Sequence, residues 1–225
     1  MQKFATATPA PVSVVLDVPA GRIRFIAADR ADTTVEVLPA DASKGRDVKA
    51  AEQTTVEYRE GVLRIESAEA KNRVLGTSGS VEVTVHLPAG SRVEAKAAAA
   101  ELRGVGRLGD VTFEGAQASV ELDETASARL AVLAGDVTVG RLGGPAEIST
   151  QKGDITIAEA LRGTVALSTQ AGDIAVGAAR GVSASLDAGT TLGRIDNSLR
   201  NSAAAAVGLT IHATTALGDI TARSL

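Results

Sequence analysis

The stretch that decides the fold contains two near-copies of one pentapeptide, Gly153-Asp154-Ile155-Thr156-Ile157 and Gly172-Asp173-Ile174-Ala175-Val176. In both copies, glycine and aspartate precede a segment in which apolar and polar residues alternate, as they do in a half-buried strand. Glycine permits a positive φ at a bend, and an adjacent aspartate can bond nearby backbone N–H groups. The pentapeptide therefore predicts a corner followed by a short strand.

The same pattern recurs along the second half of the sequence. Further versions begin at Gly109, Gly135, Gly193 and Gly218, with Arg194 in place of the aspartate after Gly193. Second alternating segments follow the corners at residues 146–150, 164–168, 182–186 and 209–213. The spacing indicates a unit of about 20 residues with insertions.

A unit this short cannot bury its apolar face alone. Successive units should therefore stack, with strands about 4.8 Å apart, around one continuous apolar interior. The sequence predicts an all-β solenoid over residues 94–225. Residues 1–93 contain less regular strand segments, and we expect them to form a cap-like β region that continues into the solenoid.

Several segments leave the local structure open. Residues 41–52 are predicted to form a loop or a short helix. The alanine-rich residues 94–102 continue the alternation of the preceding strand, which favours a strand, although alanine is the best intrinsic helix former. Residues 203–206 are interpreted as an insertion loop between coils. We expect the N-terminal strands to cap one end of the solenoid and residues 222–225 to lie at the other.

Composition and charge exclude several functions. The 225 residues include 23 Lys and Arg against 27 Asp and Glu, with the two signs interleaved, so no basic stripe is available for nucleic acid. Aromatic residues make up 2% of the chain, and cysteine is absent, which excludes disulfides and thiolate metal sites. No apolar stretch approaches the length of a membrane span. The first nine residues lack the apolar segment of a signal peptide, so we expect a cytoplasmic protein, with surface exposure left open.

The family resemblance rests on three stretches. These are residues 87–93 (Leu-Pro-Ala-Gly-Ser-Arg-Val), the ladder of Gly-Asp corners, and residues 213–220 (Ala-Thr-Thr-Ala-Leu-Gly-Asp-Ile). Together they resemble the bacterial β-strand-repeat proteins called "putative adhesins", a family of unknown function, from about residue 12 to the end. The resemblance implies a right-handed, single-stranded β-helix and brings no catalytic residues with it.

Candidate chemical sites are weak, and we predict no catalytic, cofactor-binding or metal-binding residues. The Gly-x-Gly-x-x-Gly spacing that begins at Gly104 precedes a strand-like segment, so a corner is favoured over a dinucleotide loop. His86 and His212 occupy outward strand positions. The corner aspartates could offer oxygen ligands to calcium, but turn capping is favoured because the nine-residue calcium-binding repeat is absent. These aspartates are Asp110, Asp136, Asp154, Asp173 and Asp219.

The function that fits these observations is a non-enzymatic binding or scaffold module. Its partner would be another protein or a second copy of the chain, bound through the flat faces or the end coils. A surface adhesin proper is one alternative. The other is a β-helical carbohydrate-active enzyme, for which Asp154 and Asp173 are the residues to test.

Overall fold

The computed structural model describes residues 2–8, 10–67, 79–201 and 208–225. Over these ranges the chain forms sixteen strands and one helix. The strands are β1 (Gln2–Ala7), β2 (Ser13–Ala28), β3 (Asp32–Pro39), β4 (Thr54–Arg59), β5 (Val62–Ser67), β6 (Val81–Pro88), β7 (Arg92–Ala134), β8 (Val137–Leu142), β9 (Ala146–Lys152), β10 (Ile155–Ala160), β11 (Gly163–Ala171), β12 (Ile174–Ala178), β13 (Ala184–Leu192), β14 (Ile195–Ser198), β15 (Leu209–Leu217) and β16 (Ile220–Ser224). Helix α1 (Gly45–Gln53) connects β3 and β4.

The strands stack in two rows that face each other across the core. The long row has the order β1-β3-β6-β2-β7-β8-β10-β12-β16-β14, and the short row has the order β4-β5-β2-β7-β9-β11-β15-β13. Strands β2 and β7 belong to both rows, so each continues from one row into the other. We call one turn of the chain, with a strand in each row, a rung. The prediction of an all-β solenoid with a less regular N-terminal β cap is confirmed.

The interior is a set of side-chain columns fixed by the parallel register. Val137, Ile155, Ile174 and Ile220 are successive Cα partners along the long row, and all are buried. Removal of each such side chain from water contributes about 1.5–3 kcal/mol, so the columns are the main source of stability. The alanine-rich segment also lies in a strand, within β7, where Val93, Ala95 and Ala97 are buried on alternate positions. The helix alternative for that segment is wrong because its alternation matches a strand.

The N-terminal end of the solenoid is closed. Strands β1, β3 and β4 pair with their neighbours antiparallel, whereas the rungs beyond β2 are parallel. Helix α1 contacts β3 and β6 of the long row and β5 of the short row. Its Ala50 and Ala51 are buried, and the Asp47 carboxylate accepts the Ser80 N–H at 3.0 Å. Residues 41–52, for which a loop or a short helix was expected, thus contribute most of a helix that covers the core at this end.

The order of the last rungs differs from the order in the sequence. Strands β15 and β16 insert between the β11–β12 rung and the β13–β14 rung. The prediction that residues 222–225 lie at the free end of the stack is therefore wrong, because β16 lies one rung inside. The predicted insertion loop at residues 203–206 falls outside the described residues.

The inward-facing side chains explain this order. The inserted rung presents Leu209, Ile211 and Ile220 to the core, and each is buried. The β13–β14 rung places Asn197 at the inward position that pairs with Ala222. Burial of an amide without full hydrogen bonding costs free energy, so the more apolar rung lies inside and the more polar rung lies at the end.

The length and composition of helix α1 decide whether a helix of the described chain could span a membrane. No helix in the described part of the chain is long and apolar enough to span one.

Candidate functional site

Four of the five corner aspartates form a hydrogen-bonded column, whereas Asp110 Oδ1 accepts the Ser127 hydroxyl at 2.6 Å. Asp136 Oδ1 accepts the backbone N–H of Asp154 at 2.9 Å, and Asp154 Oδ1 accepts that of Asp173 at 2.8 Å. Asp173 Oδ1 then accepts the N–H of Asp219 at 2.7 Å. Each carboxylate therefore ties its corner to the next rung, which is the turn-capping role favoured for these residues.

The column ends at Arg194. Asp219 Oδ1 accepts the Arg194 N–H at 2.8 Å, and this bond, with the nearby guanidinium charge, lowers the pKa of the Asp219 carboxyl. Because residue 194 is arginine, it has no carboxylate to accept an N–H from a further rung. The repeating corner contact therefore stops at the β13–β14 rung.

A second column, of threonines, lies on the inner side of the corners and was missed from the sequence. Thr169 Oγ1 donates to the Gly153 carbonyl at 3.1 Å, and Thr215 Oγ1 donates to that of Gly172 at 3.1 Å. Thr190 Oγ1 completes the series with the Gly218 carbonyl at 3.0 Å. The signal was present in the sequence as a threonine three residues before the corner glycine.

The remaining candidate residues lie apart from one another. The Gly-x-Gly-x-x-Gly segment that begins at Gly104 lies within β7, and no helix follows it. His86 is half-buried on β6, while His212 Nδ1 lies 3.2 Å from Asp187 Oδ2. Within the described ranges, no three His, Asp or Glu side chains form a group that could hold a metal ion. Among the described residues, these candidates are therefore not assembled into a metal-ligand set.

One feature that the fold leaves available is the outer edge of the last rung; at the other end of the described chain the edge strands are β1 and β4. In the described chain, β13 pairs only with β15, and β14 pairs only with β16. We call these two strands the open rung. The backbone groups of one edge residue, Ala184, already have a partner. The Asn201 side chain accepts the Ala184 N–H at 2.9 Å and donates to the Ala184 carbonyl at 2.9 Å.

The edge backbone groups beyond Ala184 can be assigned by alternation. In a strand, alternate residues direct their N–H and C=O groups to the same side. Since Ala184 directs its groups to Asn201 and away from β15, Leu186, Ala188 and Thr190 face the open edge as well. The open rung therefore presents a row of backbone donors and acceptors without strand partners in the described residues.

Exposed apolar side chains gather around the same end. Five large apolar residues are exposed among those described, and four of them belong to the last two rungs and the residue after them. Leu192 is 65% exposed, Leu217 is 51% exposed and Ile195 is 45% exposed. Leu192 and Leu217 are direct Cα partners, and Ile195 follows the next corner. Clustered exposed apolar side chains of this kind mark interaction surfaces.

Comparison with models of known protein families shows which family the chain belongs to. Residues 12–223 match the family model described as Toastrack DUF4097. The chain belongs to the Toastrack family. The match spans both the cap and the solenoid, and the family resemblance predicted from the sequence is confirmed.

Several solved structures align with this Toastrack chain over most of its length and share little sequence with it. A "putative adhesin" from Bacteroides fragilis is 10% identical, with a TM-score of 0.47, and covers 98% of this chain and 96% of its own. A "putative lipid binding protein" from Parabacteroides distasonis is 11% identical, with a TM-score of 0.45 and coverage of 97% and 96%. A "putative cell adhesion protein" from Clostridium sporogenes is 10% identical, with a TM-score of 0.42 and coverage of 100% and 99%. Among curated proteins, none matches the sequence.

Proposed function

We propose that this protein is a non-enzymatic binding module that takes up a polypeptide strand at the open rung. The observation that carries the proposal is the free edge of β13 and β14 beside exposed apolar side chains. A strand that pairs there gains main-chain hydrogen bonds and covers apolar surface, which is the physical basis of recognition by β-strand addition.

The edge carries few of the features that block strand pairing. Natural edge strands are protected by proline, by bulges, by inward-pointing charges or by a covering helix. Neither β13 nor β14 contains proline, and Asp187 lies on the outward face, level with outward His212. Asn201 protects the backbone groups of Ala184, and no other side-chain bond to the β13 edge is found in the described part of the chain. An edge of this kind is costly to leave exposed, which favours a role for it in binding.

The corner carboxylates support a non-enzymatic role. Asp154 and Asp173 are the residues to test for a carbohydrate-active enzyme. In each, one carboxylate oxygen accepts the backbone N–H of the next rung. An acid–base pair needs carboxyl groups that converge on a substrate, whereas these lie in a column along an exposed corner. The position and hydrogen bonds of these carboxylates are explained by a structural role, which is to connect successive corners.

The experiment is site-specific photocrosslinking in the native cell. A photoreactive amino acid replaces Leu192 at the open rung or, as a matched control, Leu133 in the middle of the solenoid, which is 52% exposed. Crosslinks to another polypeptide chain are expected from position 192 and not from position 133. Equal crosslinking at both positions, or none at position 192, would contradict the proposal.

We also propose that the protein works in the cytoplasm. The chain contains no cysteine, which suits a reducing compartment where disulfides are rare. Fractionation of the native cell, with external protease added to intact cells, tests this location. Cleavage of the protein by external protease would contradict it and favour the adhesin alternative.

A further inference from the structure

The open rung has a sequence that can pair with itself. We propose that the partner strand is β13 of a second copy of this chain, joined head to head and antiparallel about Ala188. This inference rests on the proposed function of the open rung and names its occupant. Three independent features of the end support it, namely the backbone register, the charge pattern and the closed opposite end.

The backbone register is the first feature. With the two-fold axis at Ala188, Ala188 faces Ala188 of the second copy, and Leu186 faces Thr190. These are the residues whose N–H and C=O groups point to the free edge, and facing residues in such antiparallel pairs exchange both backbone hydrogen bonds. Pairing stops before Ala184, which Asn201 already holds. The backbone groups of β13 that face the free edge between residues 186 and 190 are therefore all used.

The side chains on the two faces also fit this register. On the inner face, Leu186 meets Thr190 and Ala188 meets Ala188, so small and apolar groups extend the core across the junction. On the outer face, Asp187 of each copy lies opposite Gly189 of the other. No like charges stand directly opposite, which is the arrangement that would destabilise a strand pair.

The opposite end of the molecule restricts how copies can meet. Helix α1 and the antiparallel strands cover the core at the N-terminal end, so the open rung of one copy finds no parallel rung to extend there. Head-to-tail stacking is thereby disfavoured. The edge strands at that end, β1 and β4, run antiparallel to their neighbours. The register and charge pattern of β13 therefore favour the pairing of two open rungs, which gives a closed two-fold dimer.

Gly189 provides a matched pair of variants. A Cβ at Gly189 meets no atom within 4 Å, so Gly189→Asp and Gly189→Lys both fit the folded monomer. In the proposed dimer, residue 189 lies opposite Asp187 of the second copy. We expect Gly189→Asp to weaken dimerisation about tenfold through two like-charge pairs, and Gly189→Lys to leave it unchanged or to strengthen it.

The measurement is analytical ultracentrifugation of the full chain over a range of concentrations. The wild-type chain is expected to sediment as a dimer of twice 22.7 kDa. Ala188→Pro removes an N–H that faces the free edge, so it is expected to keep the strand content by circular dichroism and to yield a monomer. The two Gly189 variants are then expected to shift the dimer dissociation constant in different directions.

Three results would overturn the inference. The first is a wild-type chain that stays monomeric at its highest soluble concentration. The second is a dimer that survives Ala188→Pro, and the third is an equal effect of Gly189→Asp and Gly189→Lys. The proposed function fails separately, since photocrosslinking from position 192 detects any polypeptide partner, whereas ultracentrifugation of the purified chain detects only a second copy.

Discussion

At the scale of single residues, close backbone stacking at the corners decides which residues are tolerated. Gly153 has a φ of +141°, and a Cβ placed there would lie 2.2 Å from the carbonyl oxygen of Gly135 in the previous rung. Both the backbone conformation and the contact exclude a side chain. The recurring glycine, which the sequence marked as a corner, is thus required by the contact between rungs as well as by the bend.

This contact predicts the effect of two alanine substitutions. Gly153→Ala should lower the free energy of unfolding by about 3 kcal/mol or more, since strain in φ and the clash with Gly135 add together. Gly189→Ala, which meets open space at an ordinary φ, should change it by less than about 0.5 kcal/mol. Chemical denaturation of both variants measures the difference. Similar stabilities would show that the corners do not stack as described.

The turn before helix α1 contains a carboxylate with a low pKa. The Ser43 hydroxyl bonds Asp41 Oδ1 at 2.7 Å, and with the Ser43 N–H and the Lys44 ammonium it lowers the pKa of Asp41 to about 2. Because this pKa is below its ordinary value of about 4, the bonds stabilise the fold above pH 4. That contribution is lost as the pH falls from about 4 to about 2.

The prediction is a shift in one titration. Ser43→Ala removes the strongest of these interactions, so the pKa of Asp41 should rise toward its ordinary value. Stability should then change less on acidification below pH 4 than it does in the wild-type chain. Titration of the Asp41 carboxyl carbon by NMR checks the first effect, and acid denaturation checks the second. An unchanged Asp41 titration in Ser43→Ala would contradict this explanation.

At the scale of strands, the sequence predicted which segments form strands but not the order of the last rungs. Alternation identified residues 182–186 and 209–213 as strand segments, because alternation is a local property. Rung order depends on a comparison between segments distant in sequence, such as inward Asn197 against inward Ala222. The pattern within each repeat is compatible with a stack in sequence order, so it does not reveal the inserted rung.

A cysteine-free chain allows a direct test of this order. Cysteines at Asp187 and His212 would occupy adjacent strands, about 4.8 Å apart and within reach of a disulfide. Cysteines at Ala166 and Asp187 would lie on strands with β15 between them, about 10 Å apart and out of reach. Mild oxidation should therefore crosslink the first pair and not the second. Crosslinking of the second pair as well as the first would mean that β13 lies next to β11, as it would if the rungs stacked in sequence order.

At the scale of the whole molecule, the repeat was enough to predict a solenoid with an N-terminal cap. The repeat also predicted that the end coils are candidate binding surfaces, because the first and last strands of a stack have unpaired edges. The identity of the open end could not be predicted, because it depends on the insertion of β15 and β16. The threonine column was missed for a related reason: a threonine at an inward position resembles one on the surface until the rungs are stacked.

The free edge of β13 is the feature on which both binding and dimerisation depend. Amide hydrogen exchange, resolved by residue in dilute monomeric protein, tests directly whether this edge is free. We predict fast exchange at Leu186, Ala188 and Thr190, whose N–H groups face the edge, and slow exchange at Ser185 and Asp187, whose N–H groups face β15. Uniformly slow exchange along β13 in the monomer would contradict the account, because it would mean that the edge is already covered.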